Sequence, residues 1–113
     1  EEQRFYASAI VGAIIPIATG VAMANKRDGK DDKVFCFIGD MAFETGGFYE
    51  MHKYAVRYDL PIIFVVEDNG VSTNTPTEAT WNGEKRDIPS EKVIWYSYEK
   101  QWPHYGTGKW VIF

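Results

Sequence analysis

The chain has 113 residues, the usual size of one small domain. Hydrophobic residues make up 45% of it and aromatic residues 16%, which excludes a disordered chain. A net charge of −4 with scattered basic residues gives no electrostatic basis for binding nucleic acid. We therefore expect residues 1–113 to form a single module of a larger enzyme or complex.

The first apolar stretch, residues 9–24, has no basic leader, contains Pro16 and Gly20, and is shorter than the roughly 20 residues that span a bilayer. We expect a buried helix and no membrane anchor. The lone cysteine, Cys36, can form no internal disulfide, so we expect a core thiol and a cytoplasmic location. The chain does not begin with Met, which leads us to expect that upstream sequence is missing or removed.

Apolar residues then recur at steps of three and four, which predicts a helix over residues 11–26 with Pro16 in its first turn or at a kink. The apolar positions are Ile10, Val11, Ile14, Ile17, Ala18, Val21 and Ala22. A polar turn over residues 27–32 follows.

Two apolar runs, residues 34–38 and 61–66, predict strands covered on both faces, because neither alternates with polar residues. A helix over residues 45–58 is predicted between them by apolar residues at helical spacing. These residues are Phe48, Met51, Ala55 and Tyr58. The order predicts an α/β fold: an open, mainly parallel sheet with helices on both faces.

The texture changes after the second predicted strand. Residues 68–89 are rich in Asn, Thr, Gly and Pro and show no period, which predicts a long functional or mobile loop. Two further strands are predicted over residues 93–98 and 109–113.

Polar residues follow both central strands: Asp40 ends the first and Asn69-Gly70 ends the second. Open parallel sheets bind ligands at the carboxyl ends of their strands, where neighbouring strands would bring Asp40 and Asn69 together. A carboxylate and an amide oxygen suit Mg²⁺, and the helix beginning near residue 45 offers its N-terminus to phosphate. Asp40 as a helix N-cap and Asn69-Gly70 as a plain turn are equally compatible readings.

Three blocks in order resemble the diphosphate-binding half of thiamine diphosphate enzymes, most of all the alpha subunit of the first component of 2-oxo acid dehydrogenase complexes. The blocks are IVGAIIPIATGVAMANK (10–26), FCFIGDMAFETGGFYE (35–50) and LPIIFVVEDNGVSTNT (60–75). Gly39-Asp40 matches the start of the family's Gly-Asp-Gly motif, and Asn69 matches its later Asn. The resemblance covers about residues 5–75 and implies the thiamine diphosphate-binding fold, either whole or truncated.

The resemblance also implies a metal site. Asp40, the side chain of Asn69 and the main-chain oxygen of Val71 would bind Mg²⁺.

It further implies a cofactor site built mainly from backbone. Gly39 and the amides of Met41 and Ala42 would lie against the diphosphate. The backbone around Ala9 and Val11 would hold the aminopyrimidine ring.

Three positions depart from the family pattern. Met41 replaces the second glycine, which would add a side chain near the phosphate and strain if φ is positive there. Glu44 stands where relatives carry Asn or Gln, which would add negative charge near the diphosphate. Ile14 stands where they commonly carry Gln.

The resemblance implies an enzyme that cleaves the bond next to a carbonyl, acting on a 2-oxo acid or ketose. The activating glutamate would come from a pyrimidine-binding domain or beta-type subunit. The chain would therefore hold no catalytic residue and would be inactive alone. It would work in an oligomer, with a lipoyl carrier as a candidate partner. A transketolase-like fragment and a non-catalytic relative without cofactor are the alternatives. A flavodoxin-like or receiver-like module leaves Asn69 and residues 10–13 unexplained.

Other polar and aromatic residues carry weaker signals. His52 is predicted to be a solvated or capping residue, whereas His104, in a turn, could face a substrate. Threonines of the loop would fold over the cofactor or form an ordinary polar loop; they are Thr73, Thr75, Thr77 and Thr80. The tryptophans are interface anchors or core residues: Trp81, Trp95, Trp102 and Trp110.

Overall fold

The computed structural model describes residues 4–83, 86, 88–104 and 108. Its sheet has three parallel strands in the order β1-β2-β5, which confirms an open, parallel α/β fold. A separate two-stranded hairpin pairs β3 with β4. In chain order the elements are α1 (Ile14–Arg27), β1 (Val34–Gly39), α2 (Asp40–Phe43), α3 (Gly46–Arg57), β2 (Ile62–Asp68), β3 (Val71–Ser72), β4 (Thr75–Pro76), α4 (Thr77–Trp81) and β5 (Val93–Ser97).

Helix α1 begins three residues later than predicted, after a turn in which Gly12 adopts φ 80°, a left-handed conformation that favours glycine. Pro16 lies in the first turn, as predicted, where its missing N–H costs no helical hydrogen bond. The predicted apolar face is confirmed at Ala18 and Ala22, which are buried, but was wrong at Ile17 and Val21, which are exposed. The buried positions are Ile15, Ala18, Thr19, Ala22 and Asn25. Helix α1 has apolar residues on all of its sides, so their spacing alone did not identify the side that packs against the core.

The second long helix, α3, lies within one residue of its predicted bounds. Thr45 caps its N-terminus by accepting a hydrogen bond from the Phe48 amide at 3.4 Å. At its other end, Lys26 of α1 donates to the carbonyls of Tyr58 and Asp59 at 2.6 and 3.0 Å. The lysine thus ties the two helices together and satisfies carbonyls that a helix end leaves free.

The core lies between these helices and one face of the sheet. Phe48 of α3 packs edge-on against Phe64 of β2 with ring centroids 5.3 Å apart, and Phe43 meets Trp95 of β5 edge-on at 4.8 Å. Cys36 and Ile38 of β1 point into the same core. Trp95 is therefore a packing residue, whereas Trp81 and Trp102 are exposed and Trp110 lies outside the described residues.

The opposite face of the sheet carries no helix in the described part of the chain. Phe35 is 56% exposed and Phe37 is 57% exposed, and Phe37 lies in register with Val65 and Ile94 across the three strands. Both long helices lie on the other side. Within the described residues the prediction of cover on both faces is therefore wrong, although the unbroken apolar pattern of the strands was read correctly.

The segment predicted as a loop over residues 68–89 contains the β3–β4 hairpin and the short helix α4. Hairpins of two residues a strand are too short to leave a periodic pattern, which explains the difference. The predicted strand over 93–98 is β5, and the one over 109–113 lies outside the described residues. Among the described residues no helix is both long and apolar enough to cross a membrane.

Candidate cofactor site

The polar residues that follow β1 and β2 lie at the same edge of the sheet. Gly39 pairs in register with Glu67, so the chain leaves both strands at nearly the same level. Strand β1 runs directly into α2, with Gly39 as N-cap and Asp40 as the first helical residue. Asp40 is therefore not a helix N-cap, which excludes the purely structural role, as a cap, that the sequence had left open for it.

Asp40 is a buried carboxylate, only 1% exposed. Its Oδ2 accepts a hydrogen bond from the hydroxyl of Thr77 at 2.6 Å. Its Oδ1 is buried and has no hydrogen-bond partner among the described residues. An unpaired, buried carboxylate oxygen is costly, and a cation is the kind of group that would satisfy it.

Asn69 forms the turn between β2 and β3. Its Oδ1 accepts from the Val71 amide at 3.1 Å, and its Nδ2 donates to the Tyr98 hydroxyl at 3.2 Å. The plain-turn reading therefore describes the observed contacts, in which Gly70 has φ 75°. The amide oxygen retains a second lone pair, so the turn is compatible with a metal ligand at this position.

Thr77 connects the two strand ends. Its hydroxyl bonds to Asp40, and its amide donates to the carbonyl of Gly70 at 3.0 Å. Thr77 is only 1% exposed. No local sequence pattern distinguishes Thr77 from the other loop threonines, because its partner Asp40 lies 37 residues away.

A cavity of about 290 Å³ lies beside this edge. Five of the predicted site residues line it: Val11, Gly39, Met41, Ala42 and Val71. Three predicted residues do not line it. Ala9 is exposed, Asp40 lies between the lining residues Gly39 and Met41, and Asn69 lies two residues before Val71. His104 and Thr73 also line it, so His104 does face the cavity of the predicted cofactor site.

Met41 is accommodated without backbone strain, because it lies within helix α2 and not at a positive φ. Its side chain lines the cavity. At Gly39 an added Cβ would meet no atom within 4 Å, so no neighbouring atom of the chain requires a glycine there. A small residue at that position leaves room for a ligand to approach the backbone.

Glu44 does not line the cavity. One of its oxygens accepts from the backbone amide of Arg86 at 3.0 Å, and the other lies 3.8 Å from the Arg86 Nε. Arg86 also donates to the Tyr49 hydroxyl and stacks over that ring, 4.8 Å from its centroid. The negative charge of Glu44 is therefore paired with Arg86.

The β3–β4 turn holds a strained residue. Thr73 has φ 55°, a conformation that β-branched residues rarely adopt. Lys100 steadies the turn by donating to the Thr73 carbonyl at 2.7 Å and to the Asn74 side chain at 3.3 Å. Strain held in place by such contacts is commonest where a loop faces a ligand.

Two further titratable side chains pack in or beside the core. His52 is half-buried, bonds to Ser90 at 2.9 Å and stacks on Phe48, so it is neither fully solvated nor a helix cap. Burial and the nearby charge of Lys92 lower the pKa of His52. Burial raises the pKa of Cys36 to about 11, which makes it an inert core thiol, as predicted.

No group of three or more His, Cys, Asp or Glu side chains in the described ranges is arranged to hold a metal. A cation bound at Asp40 would thus take its other ligands from amide and main-chain oxygens, phosphate or water. That mixture is the one Mg²⁺ prefers.

Comparison with known proteins gives one family match: the model described as "Dehydrogenase E1 component" matches residues 1–87. The chain is similar to three proteins named pyruvate dehydrogenase E1 component subunit alpha. That of Rickettsia bellii is 40% identical over 73 residues, covering 64% of this chain and 22% of its own. That of Rhizobium meliloti is 37% identical over 101 residues, covering 82% and 29%. The somatic mitochondrial form of Macaca fascicularis is 36% identical over 77 residues, covering 67% and 20%. The chain thus spans less than a third of the length of these relatives.

Proposed function

Because this chain belongs to the dehydrogenase E1 component family, we propose that it holds the Mg²⁺-bound diphosphate of thiamine diphosphate in an enzyme of the 2-oxo acid dehydrogenase type. It corresponds to part of the alpha subunit in its relatives. The family match favours this reading over a transketolase-like fragment.

The observation that carries the proposal is the unpaired Oδ1 of Asp40. This oxygen is anionic, buried and located where two parallel strands end, the usual ligand edge of such a sheet. Hydrogen bonding within the described chain satisfies Oδ2 alone. A divalent cation at Oδ1 would remove the cost of burying that oxygen without a partner.

The remaining ligands would come from the turn after β2. The Asn69 side-chain oxygen and the Val71 main-chain oxygen would complete the protein's share of the Mg²⁺ shell. The turn is fixed by its own hydrogen bonds, from the Val71 amide to Asn69 and from the Gly70 amide to Asp68. Ligand groups that are already held in place lose little conformational entropy when they bind a cation.

The cavity would receive the organic part of the cofactor. The amides of Met41 and Ala42, beside Gly39, would meet the diphosphate, and the backbone around Ala9 and Val11 would meet the aminopyrimidine ring. When bound, thiamine diphosphate supplies a thiazolium carbon that adds to a carbonyl and accepts the electrons released by carbon–carbon cleavage. The apolar part of the lining, including Ile14 and the buried Ile38, would exclude water from that carbon.

The working enzyme requires more than this chain. A pyrimidine-binding domain or beta-type subunit would supply the activating glutamate and complete an oligomer, so the chain alone would be inactive. The substrate would be a 2-oxo acid, with a ketose as the alternative, and a lipoyl carrier would be a further partner. A cytoplasmic location belongs to the same proposal, although one relative is named as mitochondrial.

A second candidate is a non-catalytic relative that has lost the cofactor. Met41 favours it, because its side chain lines the cavity where the family's glycine would leave space. In that case Asp40 would serve the fold only, through Thr77.

Calorimetric titration distinguishes the two candidates. The full protein, purified with any accompanying subunit, is titrated with thiamine diphosphate in the presence of Mg²⁺, as wild type and as Asp40→Ala. We expect saturable binding that weakens by at least roughly a hundredfold in the variant, because a charged ligand is lost. Wild-type protein that shows no binding would support the non-catalytic relative. Met41→Gly is the matched variant, and binding gained or tightened there would locate the obstruction.

A further inference from the structure

We propose that Thr77 is a positioning residue for the metal site, an inference that rests on the proposed function. Its hydroxyl fixes the Asp40 carboxylate so that Oδ1 faces the cation, and its amide fixes the turn that carries the other ligands. Thr77 does not line the cavity, so it would touch neither metal nor cofactor itself.

The hydroxyl determines how Asp40 can bind. A free carboxylate can rotate and offer either oxygen or both. With Oδ2 held by Thr77 at 2.6 Å, the carboxylate is fixed in one orientation, and Oδ1 is its oxygen without a hydrogen-bond partner in the described part of the chain. Asp40 would then bind through one oxygen, which leaves room in a six-ligand Mg²⁺ shell for phosphate and water.

The backbone of Thr77 acts on the second strand end. Its amide bonds to the carbonyl of Gly70, which lies between Asn69 and Val71. Both proposed sources of metal oxygens are thus joined through one residue. Since Thr77 is almost completely buried, water cannot readily replace either hydrogen bond.

Substitution at Thr77 can separate the hydroxyl from the backbone. Thr77→Val keeps the shape and the amide and removes the hydroxyl, whereas Thr77→Ser keeps the hydroxyl. Thr80→Val is the matched control: Thr80 lies on the same helix, but its exposed hydroxyl bonds to the Pro76 carbonyl and not to Asp40.

The experiment titrates Mg²⁺ into the full protein, with any accompanying subunit, at saturating thiamine diphosphate, and records thermal unfolding without metal. We expect Thr77→Val to weaken Mg²⁺ binding by roughly tenfold or more, as loss of a hydrogen bond to a charged group predicts. Thr77→Ser should bind within about threefold of wild type, and Thr80→Val should not differ from it.

Several outcomes would overturn the inference. If Thr77→Val unfolds at lower temperature but binds Mg²⁺ as the wild type does, Thr77 is a structural residue only. The same conclusion follows if folded Thr77→Ser binds as weakly as Thr77→Val. If those results appear while Asp40→Ala abolishes binding, this inference alone fails. If wild-type protein binds no Mg²⁺, the proposed function fails together with it.

Discussion

The two faces of the sheet are built from equally apolar residues but have different surroundings. One face packs under α1 and α3, where Phe64 is fully buried. On the other face, Phe37 in the edge strand β1 is 57% exposed, whereas Val65 in the central strand is 6% exposed. Apolar strand residues thus identify a sheet that requires cover on both sides. What supplies that cover depends on other segments or chains.

The two faces should contribute differently to stability, because the stabilisation from a phenylalanine is proportional to the apolar area that it removes from water. Phe64 makes close contact with Phe48, whereas Phe37 has solvent over much of its ring. The two faces should therefore respond differently to the same substitution.

The largest expected effect compares Phe64→Ala with Phe37→Ala in the 113-residue chain. Phe64→Ala should lower the free energy of unfolding by about 3–5 kcal/mol, because it leaves a cavity in the core. Phe37→Ala should cost less than about 1 kcal/mol. Urea unfolding measures both. Equal losses would mean that the second face is covered in solution, and the contrast between the faces would be lost.

A second test uses thiol chemistry on adjacent residues of β1. Burial raises the pKa of Cys36 from 9.0 to about 11, which lowers its thiolate fraction at pH 8 by about a hundredfold. A thiol reagent should therefore modify native Cys36 at least about a hundredfold more slowly than unfolded protein. The matched control is Phe37→Cys in a Cys36→Ala background, which should react rapidly. Equal rates for the two thiols would contradict the assignment of the faces.

The smallest effect concerns pH and His52 on the covered side. Burial, with a contribution from Lys92, lowers the pKa of His52 below 6.5, its value in an unfolded chain. Below about pH 6.5 the unfolded state therefore binds the proton more readily than the folded state, and stability falls as pH falls. His52→Gln should remove part of that decrease between pH 7.5 and 5.5. Urea midpoints at several pH values measure it, and an unchanged slope would exclude His52 as a cause.

The sequence was sufficient for the two long helices, the three strands of the sheet and the edge at which Asp40 and Asn69 lie. Continuous apolar runs located β1 and β2, and the polar residues after them located Asp40 and Asn69 at one edge. It was insufficient where the answer depends on distant contacts. Ile17 and Val21 have the same character as the residues that pack, so the orientation of α1 could not be derived from them.

The same limit applies at the site. The Thr77–Asp40 hydrogen bond joins residues that share no local pattern, and His52 bonds to Ser90, which lies 38 residues further along the chain. Local chemistry predicts which groups can bind a cation. Long-range packing decides how each carboxylate is held.

The Glu44–Arg86 pair has a consequence for how this sequence tolerates change. The backbone amide of Arg86 bonds to the Glu44 carboxylate, and the Arg86 guanidinium lies beside it. The opposite charges of the two side chains therefore largely cancel a short distance away. We therefore expect an acid and a neutral amide at position 44 to be equally compatible with an anionic ligand as long as position 86 stays basic. The two positions should be changed together in engineering, because replacing Arg86 alone would leave the buried Glu44 carboxylate without its cationic partner.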